Sequence, residues 1–132
     1  MQKAALLAQT RSVPLTITVA DLAHYPIAPA AWDGIVSIFV HLPPPLRQQV
    51  HRQAAAGLKP GGVFILEADT PAQLAYGTGG PSSAELLMTL AELRLDLAGL
   101  VFEVADEVER DVIEGRYHTG RAAVVQLLAR KA

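Results

Sequence analysis

Leu58-Lys59-Pro60-Gly61-Gly62-Val63-Phe64-Ile65-Leu66-Glu67 is the stretch whose reading decides the fold. Lys59 to Gly62 reads as a sharp turn, because proline pre-sets one backbone angle and glycine supplies angles closed to other residues. Val63 to Leu66 is an apolar run suited to a strand, ending at Glu67. Upstream, Pro43-Pro44-Pro45 suits the first turn of a helix, where a missing N–H would have no partner anyway. Leu46, Val50, Ala54 and Leu58 then recur at helical spacing, which puts Arg47, Gln48, His51 and Arg52 on the wet side. Before that helix, Trp32 to Val40 is a second apolar run of high strand propensity. Strand, helix, turn, strand is a βαβ unit, whose crossover is right-handed. Strands without polar alternation are expected to be covered on both faces, as in a parallel sheet.

Further upstream, Leu15 to Ala20 reads as a short buried strand ending at Asp21. Lys3 to Gln9 reads as a helix with Ala4, Leu7 and Ala8 on one face and no capping residue before it. Downstream, the loop Asp69 to Pro81 ends in Gly77-Thr78-Gly79-Gly80-Pro81. Ser82 and Glu85 form a capping-box pattern for a helix carrying Leu86, Leu90, Leu93 and Leu97, which Gly99 stops. Leu100 to Val104 and Glu107 to Ile113 read as one bulged strand with a solvent-facing side, and Ala122 to Ala129 completes a terminal antiparallel hairpin.

The chain has 132 residues, 51% hydrophobic and 18% charged, which fits a single domain and excludes disorder. Charged residues average about 25% in soluble domains, so the chain is apolar for its size. The longest stretch free of Asp, Glu, Lys and Arg, Thr70 to Ala84, is rich in Gly, Pro and Ser and shorter than the roughly 20 apolar residues that span a membrane. No membrane partner is expected, and the apolar run near the N-terminus is too short for a signal peptide, so the expected address is cytoplasmic. The absence of cysteine removes disulfides, thiolate metal sites and cysteine nucleophiles. A net charge of -2 and a pI near 6.0 give no footprint for nucleic acid. His24, His41, His51 and His118 show no metal-ligand spacing, and no metal is expected.

Candidate chemistry sits where open α/β sheets bind ligands, at the C-terminal ends of strands: Asp21 ends the first, His41 follows the second and Glu67 ends the third. The ordered set Ala20-Asp21-Leu22, Trp32-Asp33-Gly34-Ile35-Val36-Ser37, His41-Leu42 and Leu58-Lys59-Pro60-Gly61-Gly62-Val63 resembles the second half of a class I S-adenosylmethionine-dependent methyltransferase. Pro71-Ala72-Gln73-Leu74, Thr78-Gly79-Gly80-Pro81, Glu114-Gly115 and His118-Thr119-Gly120 are similar to the tellurite-resistance-like small-molecule methyltransferases.

The resemblance implies a Rossmann-like α/β open sheet, mostly parallel with a C-terminal antiparallel hairpin, S-adenosylmethionine as cofactor and a small molecule or oxyanion as methyl acceptor. It implies that Asp21 accepts from the adenine amino group beside Leu22, and that Phe39, Val40 and His41 lie near the methionine part of the cofactor. Glu67, Tyr76, the glycine-rich segment and His118 would border the acceptor pocket. No catalytic residue is assigned, since in-line methyl transfer needs positioning and dryness more than a triad.

The family's glycine-rich first loop and its ribose-binding acid have no counterpart here, so the expectation is an N-terminally truncated domain, 1–132, binding cofactor weakly or not at all. The missing strands would leave the edge at Ile35 to Val40 unpaired. Either Leu15 to Val19 pairs with it, or two chains complete each other's sheet as a homodimer. A noncatalytic, self-associating module is the alternative function.

Each site residue also has a plainer reading. Asp21 serves equally as a turn residue, and Glu67 with Asp69 as a solvated pair. The segment Gly77 to Gly80 lacks the strand and lysine of a phosphate loop. His51 reads as surface, His118 as a hairpin-turn residue and Trp32 as core packing.

Overall fold

The computed structural model describes residues 2–113, 115 and 119–132. Its elements are α1 (Gln2–Thr10), β1 (Trp32–Ile38), α2 (Pro44–Gly57), β2 (Leu58–Asp69), α3 (Leu90–Asp96), β3 (Leu100–Ile113) and β4 (Thr119–Lys131), with 3-10 turns at Pro71–Ala75 and Ala84–Leu86. The sheet order is β1-β2-β4-β3. No described helix is long and apolar enough to cross a membrane.

β1 and β2 run parallel from Gly34↔Val63 to Ile38↔Glu67, joined by α2, which is the βαβ unit expected from the prolines and glycines. Lys59 to Gly62 lies within β2 rather than forming a separate turn, and the ladder is irregular between Trp32 and Gly34. Gly61 has φ +79° there, and a Cβ on Gly62 would lie 2.9 Å from the Lys59 carbonyl oxygen, so the extra length of β2 is accommodated by glycine. β4 pairs antiparallel with both β2 and β3, and β3 has an irregular register between Phe102 and Val104, the bulged strand and terminal hairpin of the sequence reading.

α2 and α3 cover one face of this sheet. Phe64, Leu66 and Ala68 of β2 meet Val125, Leu127 and Ala129 of β4, and Ala54, Leu58, Met88, Leu93 and Leu97 close over them. Burying a leucine or phenylalanine side chain contributes about 1.5–3 kcal/mol, so this layer holds most of the stability. The other face differs from expectation. Register places Val36, Ile65, Leu128 and Val104 in one row across all four strands, yet Val36 is 64% and Val104 43% exposed. The apolar strands are therefore covered on one side only, which accounts for the apolar excess of the composition.

Further expectations are corrected. Leu15 to Ala20 forms no strand: it is extended without a ladder partner, and Val19 is 82% exposed. It does not pair with β1, which ends the sheet, and the sheet is mixed, with one parallel and two antiparallel pairings. Arg47 and His51 are buried, because Asp96 of α3 sits between them. The capping box is Thr89 with Glu92 rather than Ser82 with Glu85, and Ala84–Leu86 makes only a 3-10 turn before it. Trp32 is 44% exposed, not core.

Candidate functional site

The C-terminal ends of β1 and β2 lie side by side. After Ile38 the chain turns at Phe39, whose φ of +50° is unusual for a residue with a side chain, and its N–H donates to the Glu67 carbonyl at 2.8 Å. Two residues on, His41 has a polar neighbour at each ring nitrogen. Nδ1 lies 3.0 Å from the Leu86 carbonyl oxygen and Nε2 lies 3.2 Å from Asp69 Oδ2. A carbonyl can only accept, so Nδ1 carries the proton of the first contact. The Phe39 and His41 rings are 6.4 Å apart.

Asp69 ends β2 and is fully buried, its backbone carbonyl accepting from Met88 N–H at 3.1 Å. Neither of its carboxylate oxygens accepts a hydrogen bond, and His41 Nε2, although near, is not aligned to make one. Around it the loop after β2 is tightly tied. Gln73 is buried, accepts from Ala123 N–H at 2.9 Å and donates to Thr78 Oγ1 at 3.0 Å and the Gly79 carbonyl at 3.1 Å. Thr78 Oγ1 in turn donates to the Arg121 carbonyl of β4 at 2.6 Å. A hollow of about 390 Å³ opens beside these residues, lined by Gln73, Leu74, Gly77, Gly79, Gly80, Pro81 and Ser82.

Asp21 stands apart from this cluster, on a turn of its own. Its Oδ1 accepts from Ala23 N–H at 2.9 Å, and its backbone carbonyl accepts from His24 and Tyr25. The Ala23 N–H holds the exposed carboxyl below its ordinary range, with His24, 3.3 Å away, acting in the same direction. Gln49 of α2 donates to the Ala23 carbonyl at 3.2 Å and so fixes the turn to the helix that starts beyond His41. Ala20 and Leu22, on either side of Asp21, line a hollow of about 500 Å³ with Thr16, Thr18, Tyr25 and Trp32.

Of the acceptor-pocket candidates, Glu67 is committed elsewhere. Arg110 Nε donates to it at 2.8 Å, Arg110 Nη2 also contacts it, and Gln126 donates at 3.0 Å. Tyr76 faces Glu109 of β3, and that hydrogen bond pushes its phenol above the ordinary range. His118 lies outside the described residues. Asp69, in the sequence only one member of an acidic pair, is the acid that the structure brings to His41.

No described protein family and no curated relative matches the sequence. Solved structures do match. TehB from Haemophilus influenzae superposes with a TM-score of 0.73 at 14% identity, over 97% of this chain and 45% of that one. A SAM-dependent methyltransferase from Methanosarcina mazei gives 0.68 at 14% identity, over 98% and 76%. The fold is that of the class I S-adenosylmethionine-dependent methyltransferases. The [4+2]-cyclase SpnF gives 0.66 at 17% identity, over 97% of this chain and 61% of that one, so this methyltransferase fold also carries other chemistry. The chain thus spans about half the length of TehB and under two thirds of the cyclase.

Against the methyltransferase fold, the residues present fit one end of the cofactor. The turn-fixed Asp21 carboxylate is flanked by Ala20 and Leu22, which line a hollow with Tyr25 and Trp32, and a carboxylate beside apolar and aromatic walls is chemically compatible with an adenine.

Proposed function

We propose that this chain is a methyltransferase-like domain that acts on a small molecule, with S-adenosylmethionine held at Asp21, Leu22 and the segment Phe39, Val40 and His41. The observation that carries this reading is the parallel pair β1 and β2, whose C-terminal ends bring Phe39, His41 and Asp69 together, while the separate Asp21 turn is fixed to α2 by Gln49. The cofactor supplies an electrophilic methyl group. Asp21 orients the adenine end, Phe39 presents an apolar wall, and the tied loop from Pro71 to Ser82 keeps water from the acceptor side. Isothermal titration with S-adenosylmethionine tests this. Binding weaker than micromolar is expected, weakened further by Asp21→Ala; heat identical in both proteins sinks the assignment of Asp21.

A second reading is a self-associating module, favoured by the unpaired outer edge of β1 and the exposed Val36 and Ile38 beside it. Light scattering across a concentration series separates the two readings, because a protein monomeric throughout cannot be such a module.

A further inference from the structure

Two extended, uncharged stretches among the described residues are left without a ladder partner. The first is the outer edge of β1, where Gly34 to Ile38 carries no charge and no proline and pairs regularly with β2. The opposite edge of the sheet is built differently. There β3 carries Glu103, Asp106, Glu107, Glu109, Arg110 and Asp111 and an irregular register, and charges and bulges are what guard an edge against pairing. β1 has no such guard. The second stretch is Leu15-Thr16-Ile17-Thr18-Val19, in which apolar residues alternate with threonine at the period of a strand. Leu15 and Val19 are 53% and 82% exposed, while Thr16 and Thr18 line the hollow of about 500 Å³ that Trp32 of β1 also lines. The segment is thus extended beside its own sheet without joining it. The connection between the two is tied down: Gln49 donates to the Ala23 carbonyl, and the Ala30 and Ala31 N–H groups donate to the Ala56 and Gly57 carbonyls at 3.0 and 2.9 Å. With both ends of that connection fixed to α2, the segment stays off its own β1.

We infer that each stretch is the partner of the other on a second copy of this chain: Leu15 to Val19 of one protomer adds to the β1 edge of its partner, and the exchange is returned. The inference rests on the self-association reading and supplies its contact. Because the same two surfaces meet twice about a two-fold axis, the assembly closes at two chains rather than growing into a fibre. Backbone ladders supply the affinity and alternate side chains the register, as in strand addition generally. Charge selects the direction. An antiparallel approach brings Asp21 of one copy up to Asp33 of the other, where Asp33 already holds Lys59 at 2.8 Å and a second carboxylate would compete for it. A parallel approach keeps the two acids at opposite ends of the ladder. The register that sets uncharged residues against uncharged ones then places Leu15 opposite Gly34, Ile17 opposite Val36 and Val19 opposite Ile38. It shields Val36 and Ile38, which are 64% and 46% exposed in the single chain.

The absence of cysteine from the sequence makes the contact directly testable. Whole-chain proteins carrying Ile17→Cys and Val36→Cys are purified separately, one with an affinity tag, then mixed and oxidised; both positions are exposed, so neither change threatens the fold. A disulfide-linked heterodimer is expected, because neighbours across a ladder bring their Cβ atoms to about 4.5–5.5 Å, close to disulfide reach. Replacing the Val36→Cys protein by Leu95→Cys, which is exposed on α3, is expected to lose that product. Equal product from the two mixtures overturns the exchange. So does a disulfide formed within one chain carrying both Ile17→Cys and Val36→Cys, since the segment then pairs with its own β1. Light scattering on the unaltered chain separates the inference from the reading beneath it. A dimer whose Ile17 and Val36 variants do not cross-link overturns the exchange and leaves self-association standing, whereas a monomer at every concentration overturns both.

Discussion

Asp96 and Asp69 are both buried aspartates, and they are treated in opposite ways. Asp96 accepts from Arg47 Nε at 2.7 Å and lies 3.1 Å from His51 Nδ1, while Glu92 stands 3.4 Å from the same guanidinium. The whole group locks α2 to α3 over the core. Asp69 has a histidine at 3.2 Å and no aligned hydrogen bond. A buried carboxylate surrounded by donors ties elements together, whereas one without aligned donors adds little to that scaffold.

The same substitution at both positions is the sharpest way to break this contrast. Asp96→Asn removes the charge that compensates Arg47 and is expected to cost about 3–5 kcal/mol in urea unfolding. Gly80→Ala comes next, at roughly 1–3 kcal/mol, because its φ of +83° suits glycine and the added methyl meets Asp69; an unchanged midpoint would mean that the segment is not packed on the carboxylate. Asp69→Asn is expected to raise stability by about 1 kcal/mol, since a bare carboxylate becomes an amide able to donate. A loss there as large as at Asp96 would erase the distinction.

The smallest effect is a pH dependence. Burial pushes the His51 pKa down from its ordinary 6.5, only partly opposed by Asp96. A depressed pKa means that the unfolded chain binds the proton more readily. The contribution of His51 is therefore complete above about pH 6.5 and is lost as pH falls through the lower folded value. His51→Gln is expected to flatten that part of the stability curve, and an unaltered slope would show that His51 is not the group responsible.

What the sequence discloses and what it conceals divide along the distance between partners. The βαβ unit is legible because prolines at 43–45 and glycines at 61–62 punctuate it locally, and the bulged hairpin because its two strands are neighbours in sequence. Arg47 and His51 read as wet because Asp96 is 49 and 45 residues away, and helical periodicity takes no account of so distant a partner. Leu15 to Ala20 has strand composition, yet a strand needs a ladder and this segment does not pair with the open edge of β1. The capping box is misplaced because two candidates stand close together; the Met88 N–H bond to the Asp69 carbonyl positions Thr89 as the one that starts the helix. At the site, Phe39 and His41 are legible from their place after a strand, while Glu67 is claimed by Arg110, 43 residues on.

The position of β4 has a consequence for how the protein is made. Thr119–Lys131 follows β2 and β3 in sequence, yet it lies between them in the sheet. During translation, β2 and the core layer it carries wait with one ladder open until the thirteen residues of β4 have emerged. Assembly then closes contacts from Val63↔Arg130 to Asp69↔Val124 in one late step. Such late, long-range closure slows folding relative to a sheet closed by local contacts.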